Sequence, residues 1–188
     1  MRTRIASGLI AAVILTGCAT DAAIGPAAGP GTPAIPGHAV RPVDLGSCGV
    51  IAAPAGARQV AHYYAAGDQR WFWLGSSWLN LGPDAALYED AGRQRAVGVH
   101  PFNAVWQMKS GSSLVGQVEQ VCDVGTTAIA WQLFQAVSHD GGGIFRQVDY
   151  IQRVRTTGGV APSSPGAAYG ETRRVPFTAE FYYYRLPD

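Results

Sequence analysis

The chain has 188 residues, of which 47% are hydrophobic and 14% are charged, and its formal net charge is +1. Lys109 is its single lysine and no run of basic residues occurs, so the sequence lacks the positive patch that nucleic-acid binding requires. The length fits one ordinary domain preceded by a short N-terminal extension.

The N-terminus has the three parts of an export signal. Arg2 and Arg4 form a positive start, and residues 5–15 form an apolar run that is too short to span a bilayer. Residues 15–18 read Leu-Thr-Gly-Cys, which is the lipobox pattern of bacterial lipoproteins. The pattern predicts a signal peptide over residues 1–17, removed before a lipidated Cys18. The alternative is an ordinary secretory signal with a chance cysteine beside the cleavage site.

Lipidation of Cys18 predicts the location of the protein. Two or more palmitate-type acyl chains hold a protein stably on a membrane, and Ala19 rather than an aspartate follows the cysteine, which favours sorting to an outer membrane. We therefore expect a lipid-anchored protein of the cell envelope that faces the periplasm or the cell surface. The rest of residues 18–44 is rich in Ala, Gly and Pro, which predicts a flexible tether.

Residues 45–188 have the pattern of a single all-β domain. Short segments rich in β-branched and aromatic residues alternate with Gly, Pro, Asp and Ser clusters at 66–68, 82–84, 90–92, 110–112 and 140–143. Regular spacing of this kind predicts an antiparallel β-sandwich or barrel. The predicted strands cover residues 60–64, 71–74, 85–88, 97–99, 105–108, 114–121, 129–137, 145–155 and 178–185.

One predicted strand is ambiguous. Phe145, Val148, Ile151 and Val154 also fit a helical period, but the Val, Ile and Tyr content and the abrupt Gly-Gly at 158–159 favour a strand.

Two cysteines remain in the mature chain once Cys18 carries lipid. Cys48 and Cys122 lie in a protein predicted to be exported, where the environment is oxidising and disulfides persist. We expect them to form a disulfide. The alternative is a pair of buried free thiols, because sequence spacing does not show whether the two residues come within reach.

Residues 150–162, Tyr-Ile-Gln-Arg-Val-Arg-Thr-Thr-Gly-Gly-Val-Ala-Pro, carry a family resemblance. They resemble the fingerprint of domain-of-unknown-function family 3455, a group of exported bacterial and fungal proteins. Supporting positions, which together span about 57–185, are residues 83–88, His100 with Trp106, Trp131 with Leu133, and 175–184. The resemblance implies a secreted β-rich domain and brings no established activity.

The resemblance also bears on the cysteines. Similar family members tend to carry one cysteine where this chain has Ala65 and another near its Pro165 and Gly166. Both are absent here, which leaves Cys48 and Cys122 as a possible substitute bridge.

Catalytic and metal-binding patterns are weak. The chain has no Gly-x-Ser-x-Gly elbow, and Ser138, His139 and Asp140 are consecutive, so on a strand they alternate between faces and form no relay. No His-x-x-x-His or Cys-x-x-Cys spacing prepares a metal site. We expect no metal and no cofactor. Whether the protein is an enzyme stays open, with a non-enzyme favoured.

Aromatic and polar residues suggest a binding module instead. The candidate ligand-binding residues are His100, Trp106, Trp131, Gln152 and Arg153. Tryptophan faces stack on sugar rings or apolar ligands, although core packing is the common role of a single Trp.

The two polar types in the fingerprint have alternative roles. Gln152 lies on an otherwise apolar face and must bond either backbone or a ligand. Arg153 and Arg155, which on a regular strand share a face, suit a carboxylate or phosphate. The alternative for these arginines is cross-strand pairing with Glu180 or Asp149.

The sequence therefore favours a non-catalytic binding or envelope-associated module that recognises a small molecule or a glycan. Its expected partners are the membrane, through Cys18, and that ligand. Two alternatives remain: a hydrolase-type enzyme with a site near His100, and a purely structural envelope lipoprotein.

Overall fold

The computed structural model describes residues 43–102 and 104–188, all of which belong to one compact unit. The predicted signal peptide, the lipidation site Cys18 and nearly all of the predicted tether lie outside the described residues and stay predictions. Within the described part, no helix has the length and apolar character needed to cross a membrane.

The domain is an all-β closed barrel. Each strand pairs antiparallel with the next, and the last pairs with the first, so no sheet edge is left open. This confirms the predicted fold class and selects the barrel over the sandwich. The strands are β1 Arg58–Trp73, β2 Trp78–Tyr88, β3 Ala96–His100, β4 Val105–Met108, β5 Ser113–Cys122, β6 Trp131–Asp140, β7 Tyr150–Gly158 and β8 Thr172–Arg185.

Two predicted turns are wrong, because residues 66–68 and 82–84 lie inside β1 and β2. Gly67 pairs with Ala85, and a Cβ on Gly67 would lie 2.2 Å from the Asp84 carbonyl oxygen, so this glycine permits a close approach between strands. Pro83 pairs only with β1, because β2 pairs with β3 from Ala85 onward. A missing N–H is tolerated there.

The barrel interior is filled by large apolar side chains. A continuous buried cluster joins residues from both ends of the sequence and includes Tyr63, Leu87, Trp106, Phe134, Phe145, Ile151, Phe181 and Tyr183. Trp106, Phe181 and Tyr183 have no exposed surface. Aromatic rings of this size contribute most of the buried area in such a core.

A short 3₁₀ helix, Ile144–Gln147, closes one end of the barrel. Its Phe145 is fully buried against Tyr63 and Tyr183, with ring centroids 6.4 Å and 5.0 Å apart respectively. The predicted strand 145–155 is therefore wrong in its first part: β7 begins at Tyr150, although it ends at Gly158 as the Gly-Gly pair indicated.

Residues 43–51 cover part of the outside of the barrel. The disulfide between Cys48 and Cys122 is present, with the two Cα atoms 5.6 Å apart, which confirms the predicted pairing. A second 3₁₀ helix, Gly49–Ile51, follows Cys48 and buries Ile51 completely in a cluster with Leu133, Val154 and Tyr182. We call residues 43–51 the outer strap. β7 is thus covered on its outer face and packed on its inner face.

Candidate ligand-binding site

The open end of the barrel contains a cavity of about 520 Å³. It lies opposite the end that Phe145 closes, since it is lined by the end of β1, the start of β2, the end of β3 and the start of β6. The volume falls within the range of small-molecule sites, about 300–1,000 Å³. No serine, threonine, cysteine or acidic side chain lines it among residues 43–102 and 104–188.

Arg153 is the one charged side chain among the described residues of this lining. It extends from β7 into the barrel, where it is only 8% exposed and its guanidinium carbon lies 5.9 Å from the centre of the Phe134 ring. Burial lowers the pKa of Arg153 to about 10, so the group stays protonated at neutral pH.

The guanidinium is only partly satisfied by the protein. Nη2 and Nε both donate to the Ala130 carbonyl oxygen, at 2.7 and 3.2 Å. Within the described part of the chain, Nη1 finds no hydrogen-bond acceptor and no carboxylate pairs with the charge. A buried charge without a counter-ion is costly, and proteins keep one where a ligand or catalysis uses it.

His100 also lines the cavity, at the end of β3. Its ring stacks on Trp106 with centroids 4.5 Å apart, and Nδ1 lies 2.7 Å from the Val105 carbonyl oxygen. A carbonyl only accepts, so Nδ1 carries the proton and Nε2 keeps its lone pair. Burial, with a smaller contribution from the Arg153 charge, lowers the pKa of His100 to about 3 against the opposing hydrogen bond to Val105. His100 is therefore neutral at physiological pH.

The segment 128–130 forms one wall of the cavity and is held by β7. Thr156 donates its hydroxyl to the Ile129 carbonyl oxygen at 2.6 Å, and the Ile129 N–H donates to the Gly158 carbonyl oxygen at 2.9 Å. Gly159 has a φ of 76°, and a Cβ there would lie 2.9 Å from the Cβ of Phe177. Glycine fits this position because both the backbone angle and the space exclude a side chain.

Residues 74–185 match the protein family DUF3455, whose description is "protein of unknown function". The match covers more than half of the chain. The chain belongs to the DUF3455 family. No curated protein and no solved structure matches it.

The DUF3455 fingerprint at 150–162 departs from regular strand alternation. Arg153 and Arg155 do not share a face as the sequence predicted: Arg153 is buried inside, while Arg155 is exposed outside and donates to Glu180 at 2.9 Å. Arg155 has a φ of 49°, and the pairing register shifts between Val154 and Thr157. This bulge turns the side chain outward. The cross-strand pairing considered as an alternative is thus correct for Arg155 and not for Arg153.

Three candidate residues of this DUF3455 domain do not line the cavity. Trp106 is fully buried in the core, where its ring stacks on His100. Gln152 is buried under the outer strap, where Nε2 donates to the Ile51 carbonyl oxygen at 2.6 Å and Oε1 accepts from the Tyr184 hydroxyl at 3.1 Å. Trp131 packs in the outer cluster beside Cys122. Of the five candidate residues, the structure therefore brings His100 and Arg153 together at the cavity, with Trp106 stacked on His100 in the core, and it places Gln152 and Trp131 elsewhere. Of the two alternatives for Gln152, a bond to backbone or a bond to a ligand, the structure shows the bond to backbone.

Sequence reasoning missed several residues of the cavity that carry polar groups, namely Gln69, Trp71, Asn80 and Gln132. Gln69 lines the wall from β1, and its Nε2 donates to the Asn80 Oδ1 at 2.8 Å. The Gln69 Oε1 is buried without a hydrogen-bond partner in the described part of the chain. Trp71 lies at the same end of β1 and donates its Nε1–H to the Gly159 carbonyl oxygen at 3.1 Å. The sequence feature that could have indicated Gln69 and Trp71 is their position near the end of a strand.

The remaining catalytic and metal candidates form no site among the described residues. The His139 Nε2–H donates to the Val148 carbonyl oxygen at 2.7 Å. The His, Cys, Asp and Glu side chains of residues 43–102 and 104–188 form no group of three suited to a metal ion.

Proposed function

We propose that this DUF3455 protein is a lipid-anchored, exported binding protein that holds a small molecule in the mouth of its barrel. The observation that carries the proposal is the Arg153 guanidinium, which is buried in a cavity of about 520 Å³ and has no counter-ion among residues 43–102 and 104–188. A largely preformed pocket with a few directed polar groups is the usual form of a small-molecule site.

The lining of the cavity favours binding over catalysis. Acyl or glycosyl transfer needs a nucleophile or a carboxylate within reach of the substrate, and the described lining offers neither. The His100 Nδ1 donates to backbone rather than to an orienting carboxylate. We therefore propose no hydrolase activity for this site.

The proposed location rests on the N-terminal sequence. The lipobox at residues 15–18 predicts acylation of Cys18, and the Ala, Gly and Pro-rich residues up to 44 suit a tether that holds the barrel near the outer membrane. We expect the full-length chain to fractionate with membranes and to gain the mass of its acyl chains. A Cys18→Ser variant should lose both properties. An unlipidated, soluble wild type would overturn the anchoring.

Native mass spectrometry of the full-length protein in mild detergent tests the binding role. The expected result is a co-purifying small molecule that an Arg153→Gln variant loses. Two results would overturn the proposal. Turnover of a hydrolase substrate panel that disappears in His100→Gln would support an enzyme, and the absence of any retained or added ligand would support a purely structural lipoprotein.

A further inference from the structure

We infer that the cavity ligand is a small organic carboxylate that also carries hydroxyl groups, bound with its carboxylate on Arg153 and a hydroxyl directed to His100. This inference rests on the proposed function, because it assigns a chemical class to the ligand of that site. Three observations support it: the N–H groups of Arg153 that bond to no described residue, the available lone pair of the His100 Nε2, and the size of the cavity.

The donor inventory of Arg153 favours an anion with paired oxygens. A guanidinium has five N–H groups, and the Ala130 carbonyl oxygen uses one from Nε and one from Nη2. Three therefore remain, both of those on Nη1 and the second on Nη2. Nη1 and Nη2 together form the forked edge that fits a carboxylate in a bidentate arrangement.

The charge balance favours a monoanion. Arg153 is the single charged group of the described lining, and neutral His100 adds no second positive charge. One carboxylate matches the one largely buried guanidinium, whereas a phosphate dianion there would leave a negative charge uncompensated. The same balance disfavours an ammonium ligand, because like charges would be buried together.

The acceptor beside Arg153 favours a ligand with a hydroxyl group. The His100 Nε2 has its lone pair available, since Nδ1 carries the ring proton, and no described residue bonds to it. A carboxylate has no proton to donate, so a hydroxyl group elsewhere on the ligand must satisfy this acceptor.

The size of the cavity sets the scale of the ligand. A volume of about 520 Å³ suits a molecule of one ring rather than a metal ion or an extended polymer. Trp71 lies at this rim, where its indole is held by the Gly159 carbonyl oxygen. Indole faces pack well against the C–H face of a sugar ring. An acidic pyranose combines the carboxylate, the hydroxyl groups and the ring.

Four probes of similar size test the class by isothermal titration calorimetry on the full-length protein in non-ionic detergent. Glucuronate has the carboxylate and hydroxyl groups, glucose lacks the charge, glucosamine reverses it, and hexanoate lacks the hydroxyl groups. We expect glucuronate to bind at least about tenfold more tightly than glucose or hexanoate, because a hydrogen-bonded charge contributes that much. Glucosamine should not bind.

Matched arginine variants on the same strand assign the anion to its partner. Arg153→Gln should reduce the affinity for glucuronate about 10- to 100-fold, to that of glucose. Arg155→Gln removes an arginine two residues away, on the outer face, and should leave the affinity unchanged. If Arg153→Gln does not fold, Arg153→Lys keeps the charge without the fork and should still weaken glucuronate binding.

The outcomes separate this inference from the proposed function. Equal affinity for glucose and glucuronate, absence of glucuronate binding, or an affinity that does not depend on Arg153 overturns the carboxylate assignment. A retained neutral ligand in native mass spectrometry would then keep the binding function while removing this ligand class. If glucuronate does not bind and native mass spectrometry finds no retained ligand, the proposed binding function is overturned as well.

Discussion

The two faces of β7 use adjacent polar residues in opposite ways. Gln152 points outward, where the outer strap covers it and both ends of its amide are hydrogen-bonded. Arg153 points inward to a cavity and keeps N–H groups that no described residue accepts. Burial alone therefore does not distinguish scaffold from site in this protein. The distinction lies in whether the protein itself completes the hydrogen bonds.

The largest expected effect is on the outer face. Replacing both Cys48 and Cys122 with Ala removes a bridge with a sequence separation of 74, which should lower the free energy of unfolding by about 4 kcal/mol in the chain-entropy model. Urea denaturation measures the loss, and a reductant should produce the same loss in wild type and none in the variant. The cavity should keep its ligand affinity below the unfolding transition. A fall in affinity would mean that the two faces are not independent.

The second effect belongs to the inner face and depends on pH. The pKa of His100 is about 3 in the folded protein and near 6.5 in the unfolded chain, so only the unfolded state gains this proton as the pH falls from 6.5 toward 3. Stability is complete well above pH 6.5 and should fall by about 3 kcal/mol by pH 4.5. His100→Gln should remove this part of the loss, whereas the control His139→Gln should retain it. Identical pH profiles for wild type and His100→Gln would contradict a neutral buried His100.

A third prediction concerns the Gln152 side-chain amide, which is buried under the outer strap. Gln152→Leu keeps the approximate volume but leaves the Ile51 carbonyl oxygen buried without its donor, which should cost about 2 kcal/mol. Gln117→Leu on exposed β5 is the matched control and should change stability by less than about 0.5 kcal/mol. Chemical denaturation of the two variants provides the comparison. Equal losses would show that the hydrogen bond under the outer strap contributes nothing specific.

The smallest expected effect is the pH-dependent contribution of Glu180, on the outer face, to the free energy of unfolding. Burial raises the pKa of Glu180, but hydrogen bonds from His62 and Tyr182 and the charge of Arg155 outweigh it and lower the pKa to about 2. The carboxylate therefore stabilises the fold above about pH 4.5, and this contribution is lost as the pH falls toward 2.

Glu180→Gln should accordingly cost about 1 kcal/mol at pH 7, a value reduced by solvent screening, and almost nothing at pH 2. Glu119→Gln, on an exposed strand position, is the control and should show no such difference. Denaturation curves at the two pH values check it. A cost that stays constant with pH would mean that the group does not titrate between them.

The sequence correctly predicted the strands and turns that depend on residues close together in the chain. The strand Val105–Met108 agrees with its predicted bounds, and the turns at 90–92 and 110–112 occur where glycine and polar residues cluster. The turns predicted at 66–68 and 82–84 failed because glycine has two uses. At Gly67 it allows the neighbouring strand β2 to approach closely at Asp84 and Ala85, within a regular strand rather than at a turn.

The candidate site was predictable residue by residue but not as a group. His100 and Arg153 were both candidates from the sequence, but their convergence requires β3 and β7 to face one interior. Trp131 and Gln152 were equally candidates from the sequence, but the structure places both on the outer face of the barrel. The bulge at Arg155, with its φ of 49°, has no counterpart in an alternation pattern and reversed one assignment.

By itself, the sequence determined the all-β class and the family, because turn chemistry, β-branched alternation and a contiguous fingerprint are properties of neighbouring residues. The number of cysteines made the disulfide an expectation, which the structure confirms. Only the tertiary structure decided which end of the barrel is open, which side of β7 is covered by the outer strap, and which buried polar group lacks a partner. Those outcomes depend on hydrogen bonds between residues far apart in sequence, such as Arg153 to Ala130 and Gln152 to Ile51. Such bonds exist only once the barrel has closed.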